Sequence, residues 1–416
     1  MRRYRLARVM TVVLFCFTLF GCAKEEVHPV EITMIHAWGS GSNDHVAMRK
    51  IYEDFEKEYP HIKLQLISMP TREEMQRKTE DMIMVGKIPD IVNFSGFGKS
   101  RTYDFMVENS MALNLMPYLA KDKELKSTVS EMNLKDWTTT KNQLFTIADV
   151  TSLSGGYWYN KDILQNAGIQ QLPKTWDQFI EMFEKIQNWS NDHNQEIQAH
   201  QVSAEGYLYF MNHLMRDGEH EDESNMDADS SLTDQSKLHD CFMQLRKAYT
   251  YSTSASNGYS YLDETSLFNE GKLAIYVNGV WAASMIHSKI PVGYAPIPTN
   301  SGITTGCQSS SLGYVLGNSG NSEKEQAAIT FIKYMLSEPV QKRILRETDQ
   351  IPANANVSLE QFSAEKTRLY EASKEVFAAE RIISAPEKEA RFTDHVMDFL
   401  EGKLTEQEFF DQLNIE

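Results

Sequence analysis

From Val30 onward the chain alternates between two hydrophobic rhythms. The mostly apolar stretch "VEITMIHAW" reads as a strand that runs into the loop "HAWGSGSND". In "HVAMRKIYEDFEKEYP" the apolar Ala47, Ile51, Phe55 and Tyr59 fall four apart on one helical face, and Pro60 ends the run. "IKLQLIS" alternates like a second strand. "TREEMQRKTEDMIMVGK" opens with a capping box, Thr71 with Glu74, and stops at Gly86, after which "IPDIVNF" is a third strand. Strand, helix, strand, helix, strand implies a mainly parallel α/β sheet whose ligands gather beyond the strand ends. Thr175 with Gln178 and Ser322 with Glu325 mark two further helix starts.

The first residues follow neither rhythm. Arg2, Arg3, Arg5 and Arg8 precede "VMTVVLFCFTLF", twelve residues without a charge. As a helix this stretch would reach only about 18 Å, short of the roughly 30 Å hydrocarbon core, so it reads as a secretory signal at residues 1–21 and not as an anchor. Leu19 is too large for an ordinary cleavage site. Leu19-Phe20-Gly21-Cys22 resembles the lipobox of bacterial lipoproteins, apart from Phe20, where a small or β-branched residue is usual. The resemblance implies lipid on Cys22, a tether over residues 22–29, and a place on the outer face of the cell membrane.

Loss of that segment leaves 395 of 416 residues, enough for two lobes with separate cores. It removes four arginines and no acid, which takes the net charge from −17 to −21 and argues against nucleic acid as a partner. Cys241 and Cys307 remain besides Cys22. Their spacing matches no disulfide framework or metal site, and two buried free thiols are the reading, with a pair in an oxidising compartment as its alternative. The run from Asp217 to Ser231 carries seven acids and reads as a solvated loop.

Catalytic and cofactor motifs fail on inspection. Gly98-Lys99-Ser100 ends like a phosphate loop, but Asn93 stands where the first glycine belongs. Asp227, Asp229 and Ser231 sit like calcium-loop ligands, but Leu232 and Leu238 replace the turn glycine and the bidentate acid. The sequence gives no reason to expect a metal or cofactor.

Five segments in order, "GKIPDIVNF", "GYWYNKDILQNAGIQQLPKTWDQFIEMFEKI", "FNEGKLAIYVNGVW", "VGYAPIPT" and "SSLGYVLGNSGNSEKEQAAITFIKYMLSEPVQKRI", resemble the extracellular solute-binding proteins of ATP-binding-cassette sugar importers. The resemblance implies a type II periplasmic-binding-protein fold, two α/β lobes joined by three crossings near Ala148–Tyr157, Val292–Pro298 and Leu345–Pro352. The N-terminal lobe would hold residues 30–148 and 296–346, the C-terminal lobe 149–295 and 347–416. It also implies a monomeric receptor that is not an enzyme, takes a sugar or oligosaccharide in the interlobe cleft and delivers it to a membrane permease. Receptors for iron, polyamine or peptide share the fold, and a secreted glycoside hydrolase is the reading from another class.

A sugar offers apolar C–H faces and a rim of hydroxyls, so its site needs aromatic plates edged by carboxylates, amides or backbone groups. Trp38, with Ser40, Asn43 and Asp44, lies in the loop after the first strand, and Phe94 and Ser95 end the third. The resemblance implies that Asp149 accepts bonds from sugar hydroxyls, that Trp281 stacks on a sugar ring, and that Ser310 and Gly313 bring backbone close to ligand. Tyr157 and Trp158 point to opposite faces of a strand, with Tyr157 taken as the cleft side. Tyr207 and Tyr209 line the cleft or belong to the core.

Overall fold

The computed structural model describes residues 29–95, 100–215, 217, 234–252, 261–287, 289–302, 307–348, 350–354, 356–357 and 386–413. Among them, twelve strands form three sheets. In chain order they are β1 (Val30–His36), β2 (Ile62–Ser68), β3 (Ile91–Phe94), β4 (Thr146–Ile147), β5 (Val150–Ser154) and β6 (Gly156–Asn160). There follow β7 (Gln198–His200), β8 (Leu273–Val277), β9 (Val292–Pro296), β10 (Cys307–Ser310), β11 (Gly313–Leu316) and β12 (Ile351–Pro352).

The first lobe is built on a sheet ordered β2-β1-β3-β11-β4. β1 lies parallel to β2, from Val30 opposite Ile62 to His36 opposite Ser68, and parallel to β3. β11 runs against both β3 and β4, so one strand is reversed and four point the same way. The second lobe's sheet is ordered β7-β8-β6-β9 and likewise contains one reversed strand, β6. In both sheets the forward strands therefore end at one edge, and loops carrying chemistry collect there.

Each sheet buries its own aromatic core. The helix Asn43–Glu58 turns Met48, Ile51, Tyr52 and Phe55 inward: of the expected stripe Ile51 and Phe55 are buried, Tyr59 packs half-buried against the same core, and Met48 takes the place expected of Ala47. Phe55 meets Phe331 edge-on at 5.1 Å, and Tyr52, Tyr314 and Phe331 close the cluster. In the second lobe Trp176, Phe179, Phe183 and Phe210 pack from the helices Trp176–Asp192 and Ala204–Met215. The two C-terminal helices join that core through Phe399 and Phe409, stacked at 4.7 Å. Each buried ring contributes roughly 1.5–3 kcal/mol of burial free energy, which is why two separate cores are sustainable in a chain of this length.

Local signals explain the element ends. Thr71 Oγ1 accepts the Glu74 amide at 3.2 Å, and Gly86, at φ +73°, follows the same helix's end. Thr175 accepts the Gln178 amide at 3.3 Å. The third expected cap is displaced by one residue: Asn321, not Ser322, caps Ser322–Leu336 by accepting from Glu323 and Lys324, while Glu325 reaches back to the Gly320 amide at 3.0 Å. An asparagine oxygen caps at least as well as a serine, and Asn321 came first in the chain.

Between the lobes lies a short three-stranded sheet, β10-β5-β12, antiparallel throughout. β5 falls within the first expected crossing and β12 within the third. The second differs: Val292–Pro296 is the edge strand β9 of the second-lobe sheet, and the strand paired with β5 is Cys307–Ser310. The fit of β9 to β6 is sealed by side chain against glycine. Tyr159 faces Gly293 across the pair, and a Cβ on Gly293 would overlap its phenol ring. Cys241 is buried and free; the Cys307 side chain, Cys22 and nearly all of the acidic run lie outside the described residues.

Candidate functional site

Trp38 follows β1, Trp281 follows β8, and the two indoles line one small cavity at the meeting point of lobes and hinge. Its other walls are Arg72 from the first lobe, Val280 from the second, and Val150, Thr151, Ser152, Gln350 and Ile351 from the crossings. The volume is about 30 Å³. That is room for about one water molecule and a tenth of the roughly 300 Å³ at which small-molecule pockets begin, so a sugar enters only when the lobes part.

The two plates are held from behind. Trp281 stands in the 3₁₀ turn Val280–Met285, partly exposed, and folds its six-membered ring over Gly279, where a Cβ would overlap Cε3, Cζ3 and Cη2. The Gly279 carbonyl accepts from Trp158 Nε1 at 3.1 Å, and its amide donates to Asn278 Oδ1 at 2.7 Å. Trp38, only 8% exposed, has its carbonyl held by Arg49, which also donates to the Ser40 carbonyl at 2.8 Å. The Trp38 amide donates to His36 Nδ1 at 3.0 Å, which fixes the imidazole as the Nε2–H tautomer with Ser68 Oγ as its acceptor at 3.0 Å. Burial, with Arg49 adding to it, pushes the His36 pKa down to about 4, so this brace is neutral at ordinary pH.

Asp149 is fully buried where the three crossings meet. Ser95 Oγ donates to its Oδ1 at 2.5 Å and Tyr314 Oη to its Oδ2 at 2.8 Å. The Ser95 amide donates to Asn93 Oδ1 at 2.6 Å, Asn93 Nδ2 to Tyr52 Oη at 2.8 Å, and Tyr52 lies 3.3 Å from the Tyr314 hydroxyl. These contacts close a ring of polar groups inside the lobe. The Asp149 carbonyl accepts from Gln341 Nε2 at 2.9 Å and from the Ala353 amide at 3.2 Å, while Ser311 Oγ donates to the Val150 carbonyl at 3.1 Å. Burial raises the Asp149 pKa, and the two hydroxyl donors work against it. Its carboxyl therefore serves the hinge and does not face the cavity.

Of the other residues expected at the site, none lines this cavity. Ser40 caps its own loop, its Oγ lying 2.7 Å from His45 Nδ1; Asn43 and Asp44 begin the following helix. Phe94 is core, and Ser95 belongs to the Asp149 ring. Tyr157 packs on Phe179 at 4.9 Å in the second-lobe core, so Trp158, on the opposite face, is the one that supports the cleft. Tyr207 is core and Tyr209 half-buried against it. The Ser310 amide and carbonyl are taken by Asp136 Oδ2 at 2.7 Å and Trp137 Nε1 at 3.2 Å. Gly313 is at φ +64° and so close to Ile147 and Ala148 that a Cβ would overlap their backbone, which accounts for the glycine without a ligand. Missed in the sequence were Thr151 and Ser152, though inside a named crossing, Gln350, also within one, and Arg72, signalled only by its place after the capping Thr71.

A larger groove of about 890 Å³ lies at the far edge of the first sheet, lined in part by Ala112, Asn114, Tyr118, Gln143 and Asn318. Two of its polar side chains hold the fold: Asn114 Oδ1 accepts the Leu144 amide and Tyr118 donates to Glu325. Among the described residues no group of acidic, histidine or cysteine side chains is arranged to hold a metal ion, and no helix is long and apolar enough to cross a membrane.

Residues 50–372 match the family described as bacterial extracellular solute-binding protein. Two curated relatives are each 22% identical. A putative ABC transporter periplasmic-binding protein of Escherichia coli (strain K12) aligns over 44% of this chain and 41% of its own length. The multiple sugar-binding protein of Streptococcus mutans aligns over 69% of this chain and 67% of its own. Among solved structures, a Streptococcus pneumoniae solute-binding protein in complex with the blood group A-trisaccharide superposes with a TM-score of 0.74 at 21% identity, over 92% of this chain and 99% of that one. That likeness carries the fold: two lobes about a hinge. With more than half its length matched, the chain belongs to the bacterial extracellular solute-binding proteins.

Proposed function

We propose that this protein is a lipid-anchored receptor outside the cytoplasm that binds a sugar or oligosaccharide between its lobes and delivers it to the permease of an ABC importer. The observation that carries the reading is the pair Trp38 and Trp281, one from each lobe, lining a single cavity beside the hinge. Two indoles facing one gap suit the C–H faces of a pyranose, and Thr151, Ser152 and Gln350 supply short polar groups for its rim. The multiple sugar-binding relative and the trisaccharide-bound neighbour support the ligand class. The protein acts as a monomer by binding and not by catalysis.

A receptor of this kind must be more compact when saturated, and only a ligand that prefers the closed form shifts that balance. Oligosaccharides that raise the melting temperature of the protein should also lower its radius of gyration in solution scattering. Binding without compaction counts against closure, and cleavage products in the same incubations would revive the hydrolase.

A further inference from the structure

The first-lobe sheet parts at one corner. β11 and β4 pair through Tyr314 with Ile147 and Val315 with Thr146. Past that point residues 112–115 lie between the two chains, the Leu113 amide donating to the Leu316 carbonyl at 2.8 Å and the Leu115 amide to the Leu144 carbonyl at 2.7 Å. The groove of about 890 Å³ opens beside this wedge, within one lobe and away from the interlobe cavity. Its size falls in the roughly 300–1,000 Å³ range of small-molecule sites.

Three side-chain amides line it, and two are locked in orientation. Asn114 Oδ1 accepts the Leu144 and Met116 amides, each at 3.2 Å, which leaves its Nδ2 as the free end, a donor. Asn318 is the reverse: its Nδ2 donates to the Ser110 carbonyl at 3.0 Å, which leaves its Oδ1, an acceptor. Because the partners are N–H groups in one case and a carbonyl in the other, neither amide can flip without losing its bonds. Gln143 is tied through its main chain, its amide to Thr139 Oγ1 at 3.2 Å and its carbonyl to the Thr139 amide at 2.8 Å, while its side-chain amide has no hydrogen bond among the described residues. Apolar surface comes from Leu113, Phe145 and the ring of Tyr118, which is pinned by its bond to Glu325 at 3.0 Å. The charged lining residues, Glu108, Lys121 and Lys141, are of both signs and exposed.

A fixed donor, a fixed acceptor and a free amide beside apolar surface suit neighbouring ring hydroxyls, each of which both donates and accepts, above a C–H face. A carboxylate or phosphate can meet the Asn114 donor but has nothing to give the Asn318 oxygen. We propose that this groove is a second saccharide site, which holds a neutral sugar on the first lobe independently of the cleft. Occupying it needs no lobe closure.

The test is hydrogen exchange with mass-spectrometric readout on the full-length protein, with and without millimolar maltotriose, cellotriose, chitotriose or raffinose. At least one of them should slow exchange in residues 110–118 and 138–145, and this protection should survive Trp281→Ala, which strikes only the cleft. Gln143→Ala, which removes a side chain with no structural bond, should weaken groove binding about two- to tenfold with an unchanged melting temperature. Thr140→Trp, a bulky ring on the exposed lip, should abolish it and spare cleft binding. No protection of these residues by any probe, protection that vanishes with Trp281→Ala, or equal protection by galacturonic acid or trialanine overturns the proposal. The cleft is judged separately: compaction on binding with an unprotected groove leaves the receptor reading standing alone, and groove protection without compaction leaves the second site standing without it.

Discussion

Trp158 donates its indole N–H to the carbonyl of Gly279 at 3.1 Å, and it does so from the buried face of β6. Trp158 is packed among Phe268, Leu273, Tyr276 and Ala282, so its position is set by the second-lobe sheet. Gly279 in turn carries the Trp281 ring on its bare Cα. A residue that never meets the cavity thereby fixes the height and tilt of one that lines it. Rigid support of this kind lowers the ordering cost of binding, because the plate is in place before ligand arrives.

Gly279→Ala should therefore damage affinity more than stability. Its methyl occupies the place of the Trp281 ring, which must swing away, whereas the backbone itself, at φ −72°, accepts alanine. Trp158→Phe removes the hydrogen bond to Gly279 together with part of a buried ring, so it should lower stability as well as affinity. Titration with a binding oligosaccharide, alongside denaturant midpoints, checks both. Full affinity in Gly279→Ala would mean that Trp281 does not contact the ligand.

Trp281→Ala separates plate from core. Trp281 is partly exposed and belongs to none of the buried clusters, so truncation should cost far less folding stability than the roughly 3 to 5 kcal/mol typical of a core tryptophan. Loss of its burial and contact with a sugar ring should weaken binding by about 1 to 3 kcal/mol, roughly five- to more than a hundredfold. Trp281→Phe should recover part of the loss. A large midpoint drop with unchanged affinity would remove Trp281 from the site.

Cys22→Ala tests the tether. If lipid on this thiol precedes cleavage, the variant should remain an unprocessed precursor and lose detergent partitioning as a mature lipoprotein. Continued processing and partitioning would show that something else holds the protein at the membrane.

How far the sequence speaks depends on the range of the interaction. β1, β2, β3 and the helices between them are legible because periodicity and caps are local, and even the displaced cap at Asn321 lies one residue from the expected one. The second crossing is not legible, because Val292–Pro296 and Cys307–Ser310 are both short extended segments and only their partners, β6 and β5, tell them apart. Asp149 shows the same limit in the site. Its type and its place in a crossing were readable, but its direction is set by Ser95, 54 residues away, and Tyr314, 165 away. Arg72 acquires meaning only when the second lobe is set against the first.

Asp149→Ala should be chiefly a stability lesion. It leaves the hydroxyls of Ser95 and Tyr314 without their buried acceptor, and each unsatisfied group costs about 1–3 kcal/mol. Asp149→Asn keeps one good acceptor and should cost less, with Ser95 Oγ turning to accept from the amide. Any loss of affinity should follow from altered hinge geometry and be accompanied by changed scattering. Intact stability with abolished binding would instead return Asp149 to the ligand.

Two buried histidines make an acid-sensitive fold. His36 accepts from the Trp38 amide and His200 bonds the Ala248 carbonyl at 2.8 Å, and burial first of all pushes both down to about 4. An unfolded chain takes up these protons near 6.5, so between about 6.5 and about 4 the unfolded state binds more of them. Stability therefore rises with pH across that window and falls as acid is added, by up to about 1.4 kcal/mol per pH unit for each histidine. Urea midpoints measured at intervals from pH 7.5 to pH 4.5 should show this slope, and His36→Gln should reduce it while lowering stability at neutral pH through loss of the Trp38 brace. Because that brace positions a cavity wall, saccharide affinity in the wild type should weaken over the lower part of the same range. A flat stability profile between pH 6.5 and pH 4.5 would mean that neither imidazole is held neutral by the fold.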